Sequence, residues 1–193
     1  MEKIIYQRLC LDAKHSNRTN TTGNRSNNIS WSPPPWGALK VNVDAHLSSD
    51  GRWLARLILR RADGSAVGAA TRWHKVLNEA VFGEALALND ALDLIEKLGI
   101  CSVIIESNCQ SLGNAIRLKS DIRKHWGTVV NRCIAFLKNN PQSAVSWVGR
   151  NWNRVAHEMA KWVEREPNIE WSTSIPSCIL PYIQKDIGLV SPP

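Results

Sequence analysis

Four side chains stand where carboxylate, amide or imidazole chemistry is available: Asp44, Glu84, Asn108 and His157. The first lies in Leu39-Lys-Val-Asn-Val-Asp-Ala-His46, which alternates apolar and polar residues as a half-buried strand does. A carboxylate buried there costs several kcal/mol, roughly, unless something pairs with it. Asp44 is therefore either a solvated strand acid or one kept for a purpose. Glu84 sits three residues after Val81 and four before Leu88, beside an apolar helical stripe, and so faces a sheet. Asn108 follows the apolar run that ends in Glu106, and His157 lies in the first turns of a last helix. Two acids and two other polar groups carried on four elements can meet at one end of a sheet. A cluster of oxygens there would hold a hard divalent cation, and the cation would offset the burial of Asp44.

The elements that must position these groups follow from periodicity. Strands are expected over 39–46, 53–59 and 66–73, the last two joined by a turn with Asp63-Gly64 at its tip. Val81, Ala85, Leu88, Leu92 and Ile95 then recur at helical spacing, and Gly99 marks the stop. A β-branched strand over 101–106 comes next, then helices over 110–118 and 122–139, the second ending before Pro141. A fifth strand over 144–148 and a helix over 152–165 complete the pattern, which stops at Pro167. The order β-β-β-α-β-α-α-β-α predicts an α/β domain: a mixed five-stranded sheet with helices on its faces.

Carried on elements in that order, "KVNVDA", "GEALAL", "VIIESN" and "RNWNRVAHEMAK" resemble the ribonuclease H fold. In particular the chain is similar to the plant reverse-transcriptase-like RNase H domains derived from retroelements. Such domains often begin after a W-x-PPP-x-G-x-K-x-N-x-D segment, which Trp31 to Asp44 follows. The resemblance covers residues 31–166. It implies an RNA–DNA hybrid endoribonuclease in which four carboxylates hold two Mg²⁺ (or Mn²⁺) ions and the RNA strand is cut by two-metal chemistry. Carried over by position, the catalytic set is Asp44, Glu84, Asn108 and His157, with Asp44 and Glu84 as metal ligands. Asn108 and His157 stand where the family has acids, so activity is expected to be weak or lost. Ala45, Gly83 and Trp147 depart from the Gly, Ala and His that relatives carry at those places. Arg150 and Asn153 match the family's R-x-x-N frame, and with Arg154 they are the expected nucleic-acid-binding residues. The alternative is a non-catalytic nucleic-acid-binding or protein-interaction module on the same fold.

Composition agrees with a polyanion partner. The formal charge is +7, and residues 31–166 hold 18 basic against 13 acidic side chains. Arg117, Lys119, Arg123 and Lys124 form one basic cluster that could track phosphates, and Trp126 and Trp152 are candidates for stacking on a base. An odd count of five cysteines, without a CxxC pair, points to reduced thiols in an intracellular protein. No apolar run approaches the roughly 18 residues that span a bilayer. The expected organisation is a polar, disordered leader over 1–30, the domain over 31–166 and a weakly structured tail over 167–193. The partner is then an RNA–DNA hybrid, met by a monomer.

Overall fold

The computed structural model describes residues 31–172 and 175–188. The leader expected over 1–30 lies outside the described residues.

The chain opens with a meander, β1 (Leu39–Leu47), β2 (Trp53–Arg60) and β3 (Ala66–His74), each antiparallel to the next. Helix α1 (Ala80–Leu98) leads to β4 (Val103–Ser107), which pairs parallel to β1. Helices α2 (Gln110–Arg117) and α3 (Gly127–Asn139) precede β5 (Ala144–Trp147), parallel to β4. A 3-10 turn (Arg150–Asn153), α4 (Arg154–Glu158) and α5 (Ala160–Val163) follow. The sheet order is β5-β4-β1-β2-β3-β6, where β6 (Glu170–Trp171) adds to the free edge of β3. After β6 a second 3-10 turn (Ser177–Ile179) runs into α6 (Leu180–Ile187).

The two faces of the sheet differ in kind. Leu39, Val41 and Val43 of β1 join Leu57 and Leu59 of β2 beneath Ala85, Leu88, Leu92 and Ile95 of α1. Burial of each of the Leu, Val and Ile side chains among them contributes roughly 1.5–3 kcal/mol. Gly99 closes α1 in the left-handed conformation at φ 68°, as a C-terminal glycine does. The opposite face carries Lys40, Asn42, Asp44, Arg56, Arg60 and Glu106, all buried. A second apolar cluster covers part of this face: Ile58 and Ala69 from the sheet, Val155, Ala156 and Met159 from the α4 region, and Ile179 and Ile183.

Charges on that face are paired among themselves. Lys40 Nζ lies 2.6 Å from Glu106 Oε1, and Asn42 donates to Glu106 Oε2 at 2.8 Å. Trp31 is buried and donates to Asn42 Oδ1, while Arg60 lies 3.5 Å above the Trp31 ring and 2.7 Å from Asp186 Oδ2. The Trp31-Ser-Pro-Pro-Pro-Trp36 segment is thus seated on the sheet through its first tryptophan, whereas Trp36 is exposed.

Three expectations are corrected. The sheet has six strands, not five. Residues 167–193 are not a weakly structured tail where described, because β6 extends the sheet and α6 packs Ile183 into the second cluster. Pro181 sits in the first turn of α6, where a missing N–H costs nothing. The expected helix over 152–165 is broken into a 3-10 turn and two short helices. No helix among the described residues is long and apolar enough to cross a membrane.

Candidate active site

Asp44 projects from β1 onto the charged face, and the β1–β2 register sets Arg56 directly opposite it. Arg56 is 1% exposed; its Nη2 lies 2.5 Å from Asp44 Oδ2, and its Nη1 donates to the His157 carbonyl at 3.0 Å. Burial works against the guanidinium's charge, while Asp44 and Glu84 support it. The strand acid is thus neither solvated nor waiting for a partner. It has an internal counter-ion, one that the alternating pattern of β2 did not reveal.

Glu84 reaches the same place from the first turns of α1. Burial first, and then the charge of Asp44, push its carboxyl up to about 8, against the opposing pull of Arg56, Arg150 and a hydrogen bond from the Ala45 backbone. Gly83 explains how the helix comes so close. A Cβ on Gly83 would lie 2.2 Å from the Trp53 ring, so only glycine lets α1 rest on that indole, which donates to the Leu77 carbonyl at 3.2 Å.

Asn108 follows the end of β4, its carbonyl accepting from Trp147 Nε1 at 3.2 Å. His157 stands at the mouth, 64% exposed, with Nδ1 3.5 Å from Asp44 Oδ2. Arg150 and Arg154 are exposed beside it. Asn153 is instead buried, donating to the Val43 carbonyl at 2.6 Å, and so ties the 3-10 turn to β1 with its amide turned inward. Arg117, Lys119, Arg123 and Lys124 are exposed around the α2–α3 connection, and Lys124 pairs with Glu79 at 2.7 Å. Trp126 is buried in the main core and Trp152 is 41% exposed.

Whether these residues fit divalent cations turns on charge. Glu84 Oε2 and Asn108 Oδ1 are buried without a hydrogen-bond partner, and Asp44 Oδ2 meets Arg56 without an aligned hydrogen bond. Unsatisfied oxygens of this kind welcome a cation. The charge they can offer is small. Asp44 is balanced by Arg56 and Asn108 contributes only a dipole, which leaves Glu84 as the one carboxyl of the set without a fixed counter-ion. Two divalent ions would bring +4 to a site already near neutrality, beside a fixed guanidinium, and the set does not fit them. Among the described residues no group of three His, Cys, Asp or Glu forms a metal cluster.

A model of the reverse transcriptase-like family matches residues 42–163, from Asn42 through the helices that carry His157. The chain belongs to that family. Its RNase H-like fold is shared with solved structures. RNase H1 from the halophilic archaeon Halobacterium salinarum NRC-1 is 17% identical over 67% of this chain and 98% of that one, with a TM-score of 0.59. The N-terminal RNase H domain from Mycobacterium tuberculosis, solved as a fusion with maltose-binding protein, is 14% identical over 66% and 94%, with a TM-score of 0.56. An RNase H1 isolated from compost by a metagenomic approach is 12% identical over 63% and 91%, at 0.53. A search of curated proteins found no match.

Proposed function

We propose that this reverse transcriptase-like domain binds nucleic acid, an RNA–DNA hybrid by preference, and has lost two-ion hydrolysis. The observation that carries the reading is the buried Arg56–Asp44 pair, which gives the leading acid of the site a fixed cation. Asn108 removes a second negative charge and His157 has none to supply. Binding needs none of these. Exposed Arg150 and Arg154 border the site, and the basic α2–α3 connection adds further phosphate contacts. A related fold supports a nucleic-acid partner: a foamy viral protease-reverse transcriptase was solved in complex with dsDNA, and this chain matches it with a TM-score of 0.50 at 10% identity.

The test is a labelled hybrid offered with Mg²⁺ or Mn²⁺ to wild type, to Asn108→Asp and to Asn108→Asp/Arg56→Gly. Salt-sensitive binding without cleavage is expected of wild type and of Asn108→Asp. Cleavage is expected only where the guanidinium is also gone. Metal-dependent cleavage by wild type that vanishes in Asp44→Asn would overturn the loss of hydrolysis. Absence of hybrid binding at low salt would overturn the partner and leave a protein-interaction module.

A further inference from the structure

A groove of about 520 Å³ runs from His157 along α6. Its wall includes Arg150, Trp152, Arg154, Tyr182 and Lys185. Tyr182 and Lys185 belong to α6, outside the stretch matched by the family, so the segment after the common domain builds one wall of this surface. We propose that the groove binds a single-stranded stretch of nucleic acid, bases against Trp152 and phosphates against Arg150 and Lys185. The proposal rests on nucleic acid being this domain's partner and specifies a second, strand-separated mode of binding.

Three features point to that ligand. The first is aromatic. Trp152 leaves 41% of its surface open at the groove, and Tyr182 is already covered by the Arg154 guanidinium at 4.8 Å. An open indole beside cations is a sequence-tolerant stacking platform, since every base has a π face. The second is charge. Both acids of the groove are engaged: Asp186 is held by buried Arg60 at 2.7 Å, and Glu158 faces Arg154 at 3.9 Å. Arg150 and Lys185 have no carboxylate partner within salt-bridge distance among the described residues, so the open cations outnumber the open acids. The third is size. At about 520 Å³ the recess has room for one or two unpaired nucleotides. Arg60 ties the α6 wall to the sheet, linking Asp186 of α6 to the ring of Trp31.

The experiment titrates the full chain into a fluorescent octauridylate and, separately, into a blunt RNA–DNA hybrid, following anisotropy for wild type, Trp152→Ala and Lys185→Glu. Trp152→Ala should weaken octauridylate binding roughly tenfold, and Lys185→Glu several-fold with a shallower salt dependence. Lys185→Glu should weaken hybrid binding less than it weakens octauridylate binding. Both side chains are exposed, so a folding defect in one variant leaves the other as a test. Equal octauridylate affinity in all three proteins overturns the proposal. Wild type that binds hybrid but not octauridylate overturns the groove and leaves the partner intact, whereas failure to bind either overturns both.

Discussion

Arg56 Nη2 lies 2.5 Å from Asp44 Oδ2 across the β1–β2 ladder, both side chains buried, and the same guanidinium donates to the main chain at His157. One side chain therefore joins the meander to the last helices and sets the charge of the site.

Removing that cation should be costly. Arg56→Met is expected to lose about 3–5 kcal/mol, because it strands the Asp44 charge in the interior. Arg56→Met/Asp44→Asn should recover most of the loss, since neither charge then remains. Urea unfolding of the two single variants and the double variant checks this, and a double no more stable than Arg56→Met would contradict the pairing.

Glu84 makes stability fall as pH rises. Unfolded, its carboxyl ionises near the ordinary 4.5; folded, it keeps its proton to about 8. Between those values the native state binds the extra proton, so stability declines through that window and levels off above it. The full change is on the order of 3–5 kcal/mol from this group. Glu84→Gln should flatten the profile and be the more stable protein at pH 8, as read by unfolding midpoints across pH.

Gly83→Ala should be destabilising by about 1–3 kcal/mol, because the added methyl meets the Trp53 ring at 2.2 Å. Trp53→Leu in the same chain should recover part of the loss. A neutral Gly83→Ala in thermal melts would mean that α1 does not sit against that indole.

Asn153→Ala should cost about 1–2 kcal/mol by leaving the Val43 carbonyl unpaired. It should also weaken hybrid binding, through misplacement of Arg150 and Arg154. Arg154→Ala would weaken binding without the stability loss, and the two readouts together separate a positioning residue from one that touches phosphate.

Much of the fold was legible because its signals are local. The alternation of 39–46, the heptad-like spacing of 81–95 and the Asp63-Gly64 turn each lie within one element, and each is where periodicity put it. That Asp44 and Glu84 could share one end of the sheet followed from the order of the elements that carry them. Arg56 was not legible in this way. In β2 it sits between Ala55 and Leu57, and only the register with β1, a non-local pairing, turns it toward Asp44. Asn153 was expected to meet nucleic acid because it matches the family's R-x-x-N frame, yet it is buried. Its burial depends on how the 3-10 turn lands on β1. The C-terminal elements escaped because β6 is two residues long and α6 spans only eight with Pro181 in its first turn, too little pattern for periodicity to register.

The lateness of β6 and α6 in the chain has a consequence for biosynthesis. Residues 170–187 are made after everything they shield, so a nascent chain that has reached only α5 presents Ile58, Ala69 and Met159 without their lid, and β3 without its edge partner. Open strand edges and uncovered apolar surface are the features that draw chains into aggregates. Translation stalled or terminated in that interval would release a polypeptide with all the family-matched residues and little solubility.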